Sequence, residues 1–190
     1  MKVAILYPIP IHNSLKMAEE VTINYCLQCG SDQYKKINSK QFFCESCGFT
    51  YFQNVAASAA GIIECRNQIL ACVRKYDPCK GMLGLPGGFV DINESAESAL
   101  KREILEELNI PVPKMFYIGS FPNVYLYKCV EYHSLDLFFV IKLKEIPEIT
   151  IGNEVAAIKW IDRGKIDYDQ FAFESMKKGL KMYLELSTCL

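Results

Sequence analysis

Histidine is nearly missing from the 190 residues: His12 and His133 are the only two. No G-x-S-x-G elbow occurs either, which argues against a Ser-His-Asp hydrolase. His133 reads as a polar residue in a loop between two strands, and a Cys–His pair built on it stays open. Net charge is missing too. The 21 Lys and Arg against 22 Asp and Glu leave −1, so no general attraction to nucleic acid or to an acidic membrane is built in. No apolar run of transmembrane character approaches the length that spans a bilayer, and the uncharged window 50–63 carries Gln, Asn, Ser and Gly. At the N-terminus, Lys2 precedes V-A-I-L-Y-P-I-P-I, but two prolines and the lack of a small-residue cleavage site argue against a secretory signal. Residues 1–22 therefore read as an N-terminal extension. Repeats and low-complexity segments are absent. What remains is an ordinary globular composition, 51% hydrophobic and 23% charged, with length for one fair-sized domain plus a small module.

The small module is marked by cysteine. Cys26-Leu-Gln-Cys29-Gly30 and Cys44-Glu-Ser-Cys47-Gly48 form two C-x-x-C-G knuckles with 14 residues between them. That is the spacing of a tetrahedral four-cysteine Zn²⁺ site. Each Gly allows a tight turn that aims backbone N–H groups at thiolate sulfur. Disulfides or a redox C-x-x-C fit less well, without a secretory signal or a βαβ pattern around either pair. A stretch of about 30 residues cannot bury a core of its own, so the ion would supply its folding energy. Residues 23–52 are expected to be a structural zinc ribbon. The other five cysteines show no metal spacing, and unpaired thiols argue for a reducing, cytoplasmic compartment.

The larger domain, residues 53–190, is organised around residues 87–110. Ala96, Leu100, Ile104 and Leu108 recur every four residues and make one apolar stripe of a helix. Glu103, Glu106 and Glu107 share an arc of roughly 100° on its flank. Such a triplet is often just the solvated side of a helix. Three crowded carboxylates also suit a hard divalent cation, Mg²⁺ or Mn²⁺, held by oxygen. The surrounding spacing favours the cation. The stretch resembles the Nudix box, G-x5-E-x7-R-E-U-x-E-E-x-G-U, with Gly88, Glu94, Arg102, Glu103, Ile104, Glu106, Glu107 and Ile110 in register. Asn109 stands where the box has its second glycine, just past the helix end, where Asn is the next best residue for positive φ.

The resemblance covers about residues 53–186 and implies an α/β/α sandwich with a mixed sheet, preceded here by the ribbon. It implies metal-dependent cleavage of a diphosphate, with Glu106 and Glu107 as principal ligands, Glu103 as ligand or general base, and the carbonyl of Gly87 as a further ligand. Arg102 would pin a neighbouring carboxylate through a bidentate pair, and Glu94 would orient the assembly. One more acid outside the box is expected from Glu154, ahead of the E-V-x-x-x-x-W run that ends at Trp160; Asp136 and Glu131 are its rivals, and an exposed strand-start glutamate is the plain alternative. A ribbon ahead of a Nudix domain looks like the NADH pyrophosphatase branch, whose S-Q-P-W signature is met by Ser120-Phe121-Pro122-Asn123 in Ser and Pro only. The L-P-G-G-F-V-D run also looks like ADP-ribose pyrophosphatases. The implied substrate is ADP-ribose or an NAD(H)-type dinucleotide, with a nucleoside triphosphate or an RNA cap as alternatives. Phe121, Tyr125 and Tyr127 are the candidates for stacking on its base. The weak basic character of the ribbon, Lys35, Lys36 and Lys40, argues against nucleic acid; a homodimer is compatible with the resemblance.

Further expectations are local. Residues 54–64 and 69–75 read as strands, 76–86 as a Gly- and Pro-rich loop that lacks the Gly-Lys-Ser/Thr of a P-loop, and 115–127, 135–144 and 154–161 as further strands. Met176, Leu180, Tyr183 and Leu184 mark a closing amphipathic helix. Strands mixed with helices before and after the last of them mean an α/β domain.

Overall fold

The computed structural model describes residues 23–128 and 130–188. The extension expected at 1–22 lies outside them, as do Cys129 and Cys189. Three short strands, β1 (Tyr34–Lys36), β2 (Gln41–Cys44) and β3 (Thr50–Phe52), form an antiparallel sheet of their own. Its core is only Cys26, Tyr34, Phe42 and Cys44, with Tyr34 stacked on Phe42 at 5.6 Å. So small a core cannot offset the chain entropy of 30 residues. Gly30 and Gly48 sit at φ 74° and 75°, and each donates its N–H to the carbonyl of the first cysteine of its knuckle. The two knuckles are near copies.

The second sheet has seven strands: β4 (Ala56–Cys65), β5 (Gln68–Arg74), β6 (Leu83–Gly84), β7 (Gly87–Phe89), β8 (Phe116–Tyr127), β9 (Val130–Leu143) and β10 (Val155–Asp162). Its order is β10-β5-β4-β9-β8, with β6 on β5 and β7 on β4. Only β4 and β9 pair in parallel among these ladders, so the sheet is mixed. The inner strands are apolar on successive residues because both faces are covered. Ala59, Ile63, Leu70, Phe139 and Ile141 enter one core; Ala60, Ile62, Ile69, Phe138 and Val140 enter the other. Helix α1 (Ala96–Leu108) covers the first face and α2 (Glu174–Thr188) the second. The result is the expected α/β/α sandwich.

Leu100, Ile104 and Leu108 of α1 are fully buried, which stabilises the docked helix by roughly 2 kcal/mol each. That outweighs the repulsion among the carboxylates beside them. A Cβ on Gly61 of β4 would stand 3.2 Å from Ile104 Cδ1, so the helix rests directly on the sheet. Ser95 caps the start, accepting from the N–H of Ser98 at 3.2 Å. Asn109 ends the helix at φ 55°, ψ 36° and returns its N–H to Leu105 O, as its place in the box requires.

Three local expectations are corrected. The segment 76–86 contains β6, which closes on β5 because Leu83 is buried in the second core. Strand β9 begins at Val130 rather than near 135, since the β8–β9 hairpin runs in register out to Tyr127 and Val130. His133 therefore lies in a strand, opposite Val124, and pairs with Glu131 at 2.8 Å.

Candidate active site

One half of the candidate site is an acid-lined cleft of about 540 Å³ bounded by Gly87, Gly88, Arg102, Glu103, Glu106, Glu107 and Glu154, among others. Strand β7 and helix α1 face each other across it. A Cβ on Gly88 would come within 2.5 Å of the Glu103 carboxyl, which is why the position holds glycine. The Gly87 N–H donates to Glu107 Oε2 at 3.0 Å, fixing one carboxylate against β7.

Arg102 gathers the others. Its Nε and Nη2 grip both oxygens of Glu94 at 3.1 and 2.9 Å, and Nη1 reaches Glu103 Oε1 at 2.7 Å. Nη2 also donates to Phe89 O at 3.1 Å. The expected bidentate pair is thus with Glu94, and one guanidinium ties loop, strand and helix together. It holds the Glu94 carboxyl below the ordinary carboxylate range. Burial acts the other way on the inner acids: it raises Glu103, against the pull of Arg102, and with Glu103 and Glu154 nearby it pushes Glu107 up to about 8. Glu106 stays exposed. A partly buried acid set with more carboxylates than Arg102 can balance fits a divalent cation by the chemistry of its donors.

Beside this cleft, sharing Gly87, Gly88 and Phe89 with it, lies a second cavity of about 380 Å³. Tyr125, Tyr132 and Phe173 supply its aromatic wall. Tyr125 stacks on Tyr132 at 5.4 Å and leans on Phe173 at 5.5 Å, and the Arg74 guanidinium lies 4.9 Å over Phe173. Tyr127 lines the cavity as well.

Phe121 does not line it. It is on the same face of β8 as Tyr125, but four residues earlier, where α2 covers the sheet, and it packs against Phe138 at 6.0 Å at the edge of the second core. Asp136 and Glu131, the rivals of Glu154, are placed away from the acids of α1. Asp136 is in the aromatic cavity, and Glu131 pairs with His133. Arg74, Phe173 and the serines around Asp136 had no signal in the sequence, because they converge from β5, β4, β9 and the start of α2.

In the ribbon, the sulfurs of Cys26, Cys29, Cys44 and Cys47 all lie within 4.8 Å of one another. Cys26–Cys47 and Cys29–Cys44 are 3.7 Å apart. A disulfide needs about 2 Å, whereas a tetrahedron with metal–sulfur bonds near 2.3 Å has edges of about 3.8 Å. Burial opposes ionisation of Cys26, but the backbone N–H groups of Cys29 and Gln28, together with the neighbouring thiols of Cys44 and Cys29, bring the thiol down to about 7. The cluster fits one four-thiolate metal ion.

The site thus pairs a glutamate cluster facing a glycine strand with an adjacent aromatic cavity, on an α/β/α sandwich. The family model described as NUDIX domain matches residues 53–181, and the chain belongs to the NUDIX family. It is 43% identical over 67 residues to the ADP-ribose pyrophosphatase of Methanocaldococcus jannaschii, covering 35% of this chain and 39% of that protein. It is 29% identical over 108 residues to the NAD-capped RNA hydrolase NudC of Haemophilus influenzae, covering 54% and 41%. The chain thus spans about two-fifths of the length of these curated relatives. Among solved structures it resembles a NUDIX hydrolase from Nitrosomonas europaea (TM-score 0.62, 24% identity, 86% of this chain and 91% of that one). It also resembles the NUDIX domain of Shewanella oneidensis NrtR complexed with ADP ribose (TM-score 0.59, 20% identity, 71% and 90%). No helix among the described residues is long and apolar enough to cross a membrane.

Proposed function

We propose that the chain is a divalent-cation-dependent pyrophosphohydrolase that cleaves the diphosphate of ADP-ribose or of an NAD(H)-type dinucleotide and releases AMP. The observation that carries this is the junction at Gly87–Phe89, where the acidic cleft and the aromatic cavity meet. A diphosphate belongs in the first and a flat base in the second. Glu103, Glu106, Glu107 and Glu154, with the Gly87 carbonyl, would hold Mg²⁺ or Mn²⁺, which when bound supplies charge neutralisation for the diphosphate and acidifies water. Arg102 keeps Glu103 and Glu94 in place, and a carboxylate oxygen of Glu103 or Glu154 takes the proton of the attacking water. Tyr125 and Tyr127 face the base.

Residues 23–52 are in this reading a zinc ribbon whose ion has a structural role, and 53–190 the hydrolase domain. The five cysteines without metal spacing favour a reducing, cytoplasmic setting. The NudC relatives favour a second reading, in which the dinucleotide is the NAD cap of an RNA. The same site would serve; the ribbon offers RNA only Lys35, Lys36 and Lys40.

A chromatographic product assay with Mg²⁺ over ADP-ribose, NADH, NAD, NAD-capped RNA, sugar nucleotides and dNTPs tests the substrate. ADP-ribose and NADH are expected within about a hundredfold of each other, each giving AMP, with triphosphates slower. Cleavage of a triphosphate alone would refute it. Metal analysis tests the ribbon: one Zn²⁺ per chain is expected after Mg²⁺ is stripped, and none after Cys44→Ser.

A further inference from the structure

The aromatic cavity has a polar end that the cleavage chemistry leaves unexplained. Asp136 is only 6% exposed there. It accepts hydrogen bonds from three serine hydroxyls: Ser58 Oγ at 2.6 Å, Ser134 Oγ at 2.7 Å and Ser175 Oγ at 2.6 Å. Three elements, β4, β9 and α2, meet in that set. Ser58 and Asp136 are partners in the parallel β4–β9 ladder, Ser134 is on the same face of β9 two residues earlier, and Ser175, fully buried, begins α2.

A carboxylate only accepts, and a serine has a single proton to give. All three protons are therefore committed to Asp136. What Ser58 and Ser134 still offer the cavity they line is lone pairs. Next to them is Asn123, opposite Ser134 in the β8–β9 register. It is 7% exposed and lines the same cavity, yet its carboxamide has no hydrogen-bond partner among the described residues. Its amide N–H groups open on the cavity and can donate to a ligand there.

We propose that Ser58 and Ser134, oriented by Asp136, read the base together with Asn123, and that they select a purine carrying a 6-amino group: adenine rather than hypoxanthine. This rests on the reading that the cavity holds the nucleoside end of the substrate. The amine of adenine donates to the serine lone pairs, and a ring nitrogen accepts from the Asn123 NH₂. A 6-oxo group would set an acceptor against acceptors and leave both sides unpaired. Asp136 acts through the serines, by fixing which way their protons point.

The test compares AMP with IMP by titration calorimetry, which needs no turnover, and ADP-ribose with its hypoxanthine analogue by kcat/KM in Mg²⁺. AMP and ADP-ribose are expected to be favoured by at least about tenfold. Asp136→Asn puts a donor where the acceptor was and releases a serine proton towards the cavity; Ser58→Ala removes one acceptor. Both should shrink the preference below about threefold, and where Asp136→Asn fails to fold by circular dichroism, Ser58→Ala decides. Equal binding of AMP and IMP, binding of neither, or a preference that both variants keep would overturn the proposal. If AMP and IMP differ as expected but no diphosphate compound is hydrolysed, the base reading stands and the proposed activity falls. Hydrolysis of ADP-ribose and its analogue at equal rates gives the reverse.

Discussion

The acidic cleft and the aromatic cavity share three residues but are built on opposite plans. The cleft is local: Arg102, Glu103, Glu106 and Glu107 lie within two turns of one helix, and Gly88 and Glu94 precede it on the same short stretch. Its precision comes from one guanidinium that makes four hydrogen bonds to three neighbours. The cavity is assembled at long range. Ser58, Arg74, Tyr125, Asp136 and Phe173 come from different elements and meet only when the sheet and α2 have packed. A local plan suits chemistry that is the same for every substrate, and a long-range one suits recognition, which can change one wall at a time.

If that division holds, variants in the two regions should separate in kinetics. Glu106→Gln removes the exposed charge of a proposed cation ligand without touching the core, so kcat should fall by about 10³ or more with the melting temperature unchanged. A loss under tenfold at saturating Mg²⁺ would remove Glu106 from the cation site. Arg102→Lys keeps the charge but not the fork that holds Glu94 and Glu103. Steady-state kinetics should show kcat reduced by about 10–100-fold with KM little changed. On the other side, Tyr125→Ala should raise KM for ADP-ribose by about tenfold, the worth of one stacked base, and leave kcat near the parent value. A kcat effect of equal size would mean the two regions are not separable.

The smallest effect is on stability. Glu107 is pushed up to about 8 from an ordinary value near 4.5, so between those pH values the folded protein keeps a proton that the unfolded chain has lost. In chelator, its contribution is fully present below about pH 4.5 and disappears as pH rises through 8. Thermal melts should therefore fall by several degrees from pH 5 to 8 without divalent cation, and Mg²⁺ should flatten the slope. Glu107→Gln should flatten it as well.

The same contrast explains what could be read from the chain. The helix, its cap at Asn109 and the acid set were legible because 3.6-residue periodicity and fixed spacings are local properties. The cysteine knuckles were legible for the same reason. Strands β4, β5 and the inner half of β9 were visible as apolar runs. The aromatic cavity was only half visible. Alternation along β8 puts Phe121 and Tyr125 on one face, and nothing in the strand itself tells which of them α2 will cover. Asp136 looked like a candidate ligand because its three hydroxyl partners are 78, 2 and 39 residues away, two of them beyond any local pattern.

The central claim is that the cleft and the cavity are two ends of one substrate site. A crystal structure of the Glu106→Gln variant with ADP-ribose and Mg²⁺ tests it most directly. The account predicts the diphosphate against Glu103, Glu107 and Glu154, the chain of the ligand crossing Gly87–Phe89, and adenine beside Tyr125 with its amine towards Ser58 and Ser134. Adenine lying in solvent, with the aromatic cavity unfilled, would contradict it.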